Sequence, residues 1–231
     1  PASPRVSTAS HVVALSRTTS ESRSTVTLAA SKPHSGHGRS STQVQSLVSG
    51  TTRSLTAPSF RTAGDNGRMV LVRPVIETDL PAVAAIYDEQ VLNGISTFAT
   101  DPPGIDHWRP RLELTRPGDH VLVAERDGSV VGYVFSGDYR PRPAYGHTRE
   151  ASIYVAPAAR GSGVGRALYD ALLPMLRADG MRLVVAVIAV PNPGSQALHR
   201  ACGFEHVGTL HEVGHKFGQW IDTELWELVL A

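Results

Sequence analysis

One stretch limits what this chain can fold into more than any other. The run EASIYV at residues 150–155 leads through Ala156 and Pro157 into Arg160, Gly161, Ser162, Gly163, Val164 and Gly165. Beyond it, Val164, Ala167, Leu168, Ala171, Leu172, Met175 and Leu176 recur at helical spacing. A β-type run, a glycine loop and a helix in that order bring several unpaired amides and the positive end of a helix dipole to one spot. Such a spot suits a phosphate-bearing ligand, and glycines let the phosphate approach the backbone. The loop lacks the G-K-[ST] ending of a P-loop, and it is not a G-x-G-x-x-G with an acidic ribose partner about twenty residues on. A strand-to-helix turn with no ligand also fits the pattern.

The surrounding sequence supplies a sheet for that turn. Val70 to Pro74 reads as a strand, and Thr78 and Asp79 offer caps for a helix through Val83, Ile86, Tyr87 and Val91. A second helix is expected from Asp106 to Thr115. The pair His120–Arg126 and Val130–Phe135, joined at Asp127 and Gly128, is a hairpin signal. Leu183 to Val190 is a buried strand by its β-branched content, followed by a short helix around Ser195 to Ala201 and two closing strands. Pro174 is expected to kink the helix after the glycine loop. The expectation is an α/β domain with a mixed, mostly antiparallel sheet of about seven strands flanked by about four helices.

Charge divides the chain in two. Residues 1–68 carry eight Arg and Lys against Glu21 and Asp65, whereas the remainder carries fourteen basic and nineteen acidic residues. The first segment is rich in Ser and Thr without sustained apolar periodicity, so disorder is expected for residues 1–68 and a domain for 69–231. A transit peptide, a disordered tail and sequence upstream of a start at Met69 remain open for it. Its basic residues are scattered without aromatic interleaving, which argues against nucleic-acid binding. The single cysteine, Cys202, excludes an internal disulfide framework, and no apolar run reaches the eighteen or so residues of a membrane span. A cytoplasmic protein is expected.

A competing motif lies near the C-terminus. His211, Glu212, Val213, Gly214 and His215 spell H-E-x-x-H, which holds zinc only when a helix sets both imidazoles on one face. Gly208, Gly214 and Gly218 punctuate the segment, each costing about 1 kcal/mol relative to Ala in a helix interior. Ile221 stands where the extended motif needs a third histidine. A connection between strands is expected there, and no metal.

The segment RGSGVG after IYVAP resembles the acetyl-CoA pyrophosphate loop of the GNAT acetyltransferases, and the order βααβββαβαββ is that of the family. Within it, YRPRPAYGHTREASIYV, AVIAVPNPGSQALHRACGFEHVGTL and VGHKFGQWIDTELWEL resemble the phosphinothricin and methionine sulfone or sulfoximine N-acetyltransferases. The similarity runs from about Leu71 to the C-terminus. It implies acetyl-CoA as co-substrate, a small amino-acid acceptor acetylated on its α-amine, and a homodimer. Acceptance of another amine, such as a protein N-terminus or a polyamine, and a non-catalytic CoA-binding role stay open.

The resemblance also implies roles. Glu150 corresponds to the general base, and His199 to a residue near the CoA sulfur that could protonate the leaving thiolate. Main-chain groups at Ile153, Tyr154 and Val155 would meet the thioester and pantetheine. Arg160, Gly161, Ser162, Gly163, Val164, Gly165 and Arg166 would hold the pyrophosphate, with Asn192 and Ser195 beside the pantetheine arm. Arg142 and Tyr145, with Arg140 second, would line the acceptor pocket, Phe98 would form an apolar wall, and Lys216 would approach from a neighbouring subunit. Arg149 departs from the apolar residue expected before the base. Strand alternation points it away, yet its charge could lower the pKa of Glu150.

Overall fold

The computed structural model describes residues 59–63 and 69–230. The expectations for residues 1–58 and 64–68 lie outside the described residues. Among the described residues, eight strands form one sheet: β1 (Phe60–Ala63), β2 (Met69–Pro74), β3 (Val121–Arg126), β4 (Ser129–Asp138), β5 (Thr148–Val155), β6 (Leu183–Val190), β7 (Glu205–Lys216) and β8 (Gln219–Val229). The helices are α1 (Leu80–Asn93), α2 (Val164–Ala178) and α3 (Pro193–Ala201). From Met69 onward the strands number the expected seven. The eighth, β1, lies ahead of Met69: residues 60–63 pair antiparallel with β2 from Phe60 opposite Val72 to Ala63 opposite Met69.

The second helix also differs from expectation. Two 3-10 turns, Ile105–His107 and Arg109–Glu113, stand where one α-helix was expected. Pro110 removes a backbone donor there, and the Trp108 ring, 1% exposed, pins the chain between the turns. Pro174, by contrast, sits inside an α2 that continues from Val164 to Ala178.

The sheet runs β1-β2-β3-β4-β5-β6-β8-β7, antiparallel except between β5 and β6. Two cores cover its faces. Leu168, Leu172 and Leu176 of α2 pack on Val70, Val72, Leu122 and Val134, while Leu80, Val83 and Ile86 of α1 join Trp108 and Tyr133 on the opposite side. Each apolar stripe removes its side chains from water, at roughly 1.5–3 kcal/mol for every fully buried Val or Leu. No helix among the described residues is long and apolar enough to cross a membrane.

One irregularity positions the site. The parallel ladder between β5 and β6 has three rungs, Thr148 opposite Leu183, Arg149 opposite Val184 and Glu150 opposite Val185. Both strands continue beyond it, to Val155 and Val190, without pairing to each other. The sheet therefore opens as a wedge whose apex is Glu150.

Candidate active site

The wedge holds a cavity of about 590 Å³, lined on one side by Ser152 to Val155 and on the other by Ala186 to Ala189. Its outer end is the glycine loop. Gly161 and Gly163 adopt left-handed backbone angles, φ 68° and 80°, which a side chain would strain. Gly163 caps α2, and Ala167 N–H to the Gly163 carbonyl at 3.0 Å is the helical bond at this end. The amides of Val164, Gly165 and Arg166 precede it and have no carbonyl within the helix to meet, so this end of α2 offers donors to an anion. The guanidinium groups of Arg160 and Arg166, both exposed, flank the loop. Arg166 is partly engaged, by Asp170 at 2.7 Å and the Ala201 carbonyl at 2.9 Å.

Two loop residues act otherwise than expected. The Ser162 hydroxyl is turned inward, donating to the Ala159 carbonyl at 2.6 Å and accepting from Arg126 Nη2 at 2.9 Å, so only its main chain can serve the loop. Gly165 lines the cavity but also permits helix contact: a Cβ there would lie 2.7 Å from Leu198 Cδ2 of α3.

Asn192 and Ser195 lie together at the start of α3. Asn192 Oδ1 accepts from the Ser195 amide at 3.1 Å, the bond that caps the helix, while its Nδ2 reaches Ser96 Oγ at 3.4 Å. His199 follows one turn later and is 2% exposed. Its Nδ1 lies 2.8 Å from the Ser195 carbonyl, which can only accept, so Nδ1 carries the proton. Nε2 then accepts from the Tyr169 hydroxyl at 2.8 Å. Desolvation lowers the pKa of the imidazole, favouring the neutral ring. His199 lines the cavity, and its two nitrogens are engaged by the Ser195 carbonyl and the Tyr169 hydroxyl, which ties α3 to α2.

At the apex, Glu150 is half-buried, and desolvation raises its pKa against the opposing pull of Arg140. A carboxylate in that environment can exchange a proton nearer neutral pH than an exposed one. Arg149 points to the other face, as alternation required, and is 3% exposed. Nε lies 3.1 Å from Asp119 Oδ1 as an ion pair outside hydrogen-bond alignment, and Nη2 donates to the Pro117 carbonyl at 2.6 Å. Asp138 at 3.3 Å completes its charge balance. The cation that draws on Glu150 is Arg140, while Arg149 is turned to the other face and engaged by Asp119 and Asp138.

The acceptor candidates separate. Arg140 lies over the Tyr139 ring at 5.0 Å, and Tyr139 meets Tyr145 edge-on at 5.7 Å, on the β4–β5 connection beside Glu150. Arg142 is exposed on the same connection, and Arg140, the second choice from sequence, is the cation whose field reaches Glu150. Phe98 is not part of the cavity wall; its ring lies against Gly214 of β7, leaving no room for a Cβ there. Lys216 is turned into its own chain. It is 4% exposed, and Nζ donates to the carbonyls of Gln90, Gly94 and Thr97 at 3.1, 2.8 and 2.8 Å. All three of its donors are used inside the chain, at the negative end of α1. Sequence reasoning missed Gln90 and Ser96, which line the cavity from α1 and the following loop, and nothing in their local pattern marks them.

The H-E-x-x-H residues lie in β7, not on a helix or in a turn. The register shifts between Leu210 and Gly214, and His211 Nδ1 meets Asp222 Oδ2 at 2.9 Å. The hairpin turn comes later, at Phe217 and Gly218.

Residues 83–204 match the profile of the acetyltransferase (GNAT) family. The chain belongs to the GNAT family. As an N-acetyltransferase of this family it is 44% identical over 158 residues to a phosphinothricin N-acetyltransferase of Alcaligenes faecalis, covering 68% of this chain and 80% of the relative. It is 37% identical over 161 residues to an L-methionine sulfoximine/L-methionine sulfone acetyltransferase of Pseudomonas aeruginosa, covering 69% and 94%. Among solved structures, a phosphinothricin acetyltransferase of Sinorhizobium meliloti in complex with acetyl-CoA superposes with a TM-score of 0.67 at 37% identity, covering 74% of this chain and 90% of that one. A ribosomal-protein-alanine N-acetyltransferase of Brucella melitensis gives 0.66 at 41% identity, covering 69% and 99%.

Proposed function

We propose that this GNAT enzyme transfers acetyl from acetyl-CoA to the α-amine of a small amino-acid analogue of the phosphinothricin or methionine sulfone and sulfoximine kind. The observation that carries the reading is the wedge, with a phosphate-ready helix end at its mouth and a pKa-raised carboxylate at its apex. Acetyl-CoA, when bound, supplies the activated acetyl group. The loop amides and Arg160 would hold its diphosphate, and main-chain groups from Ile153 to Val155, with Asn192 and Ser195, would orient the arm. Glu150 would take a proton from the acceptor ammonium, leaving a neutral amine aimed into the wedge. The connection bearing Arg140, Arg142 and Tyr145 would bind the acceptor's carboxylate.

A homodimer belongs to the same reading. It is supported by the exposed apolar side chains of the β7–β8 hairpin, where Val213, Phe217 and Trp220 are 51%, 55% and 65% exposed. The remaining proposals are a tail ahead of the domain and a cytoplasmic setting. A protein N-terminal amine is a second acceptor class, favoured by the 41% identity to the Brucella melitensis enzyme.

The test is thiol release with phosphinothricin, methionine sulfone, methionine sulfoximine and an alanine-terminated peptide, alongside calorimetry with acetyl-CoA. Turnover of the free amino acids supports the reading, and turnover of the peptide alone favours the second class. Well-folded protein that takes up no acetyl-CoA overturns both.

A further inference from the structure

Arg111 is a cation without an acid. It is half-buried in the second 3-10 turn, its guanidinium carbon 4.7 Å from the Trp108 ring and 5.0 Å from that of Phe135. Its recorded hydrogen bond runs from Nη1 to the His107 carbonyl at 2.9 Å, and no carboxylate among the described residues pairs with it. Other arginines withdrawn from water have more to hold: Arg73 pairs with Asp79 and Glu125, Arg149 with Asp119 and Asp138, and Arg126, which also lacks a carboxylate, is bonded through Nη2 to the Ser162 hydroxyl and carbonyl. Withdrawing a guanidinium from water without a counter-charge costs free energy unless a ligand completes it.

The register locates this cation relative to the base. Phe135 stands directly opposite Ser152, while Gly137 opposes Glu150 and Tyr133 opposes Tyr154. Residues 150, 152 and 154 share one face, and a diagonal neighbour across a strand pair lies about 7–8 Å away. Arg111 therefore stacks on Phe135, the diagonal neighbour of Glu150, and Tyr154 on the same face lies within the field of both charges. Arg140 lies on the other side, on the connection that follows β4, close enough to influence Glu150.

Resting on the proposed acceptor class, we infer that Arg111 is a specificity-determining residue that binds the side-chain oxygens of the acceptor, the phosphinate or sulfone group. The acceptor's amine then faces Glu150, its carboxylate faces the Arg140 connection, and its methylenes lie on Phe135. A phosphinate gains a full ion pair, a sulfone gains a hydrogen bond to a charged donor, and a hydrocarbon side chain gains nothing.

The experiment compares kcat/KM for phosphinothricin and methionine sulfone, and the inhibition constant of norleucine as a competitor, in wild type, Arg111→Gln and Arg111→Lys. Losing one charge-assisted bond is expected to lower phosphinothricin turnover about 10- to 100-fold and methionine sulfone turnover less, with norleucine changed by under about twofold. Arg111→Lys retains the cation and recovers part of the phosphinothricin rate. An equal loss across all three ligands overturns the assignment while leaving the acetyltransferase reading intact, since it would report a general packing defect. Wild-type protein that binds acetyl-CoA but acetylates neither acceptor overturns the acceptor class and this assignment with it.

Discussion

Replacing Lys216 with Met tests whether this residue is an internal clamp or part of an acceptor site. The thioether fills similar space but offers no donor. Of the three carbonyls that Nζ holds, Gln90 retains the Gly94 amide at 3.1 Å, so two, Gly94 and Thr97, lose the partner recorded for them. Each unsatisfied carbonyl costs about 1–3 kcal/mol when buried. Both residues keep some solvent access, which places the total near 2–4 kcal/mol. For a domain of this size that is a fall in Tm of roughly 5–15 °C. Calorimetric melting of Lys216→Met beside wild type, with acetyl-CoA binding measured on both, is the assay. The loop bearing Ser96 should loosen, weakening acetyl-CoA binding while leaving the acceptor KM nearly unchanged. A Tm within about 2 °C of wild type, joined to a raised acceptor KM, would refute the clamp and restore the intersubunit role.

Other perturbations bear on the remaining site. Glu150→Gln should lower kcat about 10²- to 10⁴-fold without changing acetyl-CoA affinity, and wild-type kcat/KM should fall as pH drops through a pKa above the ordinary glutamate range; equal rates for both proteins would remove Glu150 from proton transfer. His199 has a lowered folded pKa, so the unfolded chain binds the proton first, and stability should decline as pH falls below about 6.5. His199→Gln should flatten that decline in pH-dependent denaturation, leaving the share due to His107, whose pKa is also lowered by desolvation; an unchanged slope would contradict a neutral buried imidazole. Arg149→Met leaves the buried Asp119 with only the longer Arg116 pair at 3.8 Å and should cost up to about 3–5 kcal/mol in denaturant unfolding, whereas a loss under about 1 kcal/mol would show the cluster to be dispensable.

What the sequence disclosed follows from the range of the interactions involved. β6 was legible to the residue because a run from Leu183 to Val190 that is apolar throughout has few other homes than a sheet interior. The turn at Asp127 and Gly128 was legible because left-handed angles, φ 51° and 75°, restrict residue choice. Alternation correctly sent Arg149 and Glu150 to opposite faces. β1 carried no such mark, since four residues at an edge need only a neighbour's hydrogen bonds. The fates of His199 and Lys216 were hidden for another reason. The Ser195 carbonyl is local to His199, but the Tyr169 partner of that ring lies 30 residues away and those of Lys216, at Gln90, Gly94 and Thr97, more than 100, and no local pattern records which donors a distant carbonyl or hydroxyl will meet.

The early end of the β5–β6 ladder reaches beyond the site itself. Five residues on each strand continue past the last rung with edges that no other strand takes up, and what those edges present is peptide groups, common to every residue type. A carrier read there through main-chain polarity tolerates exchange of the side chains above and below it, provided the backbone keeps its spread. An acceptor end recognised through individual guanidinium and carboxylate groups, as proposed, would have no such latitude. Drift in the first region and selection in the second would let one scaffold keep its acyl donor while changing the amine it serves.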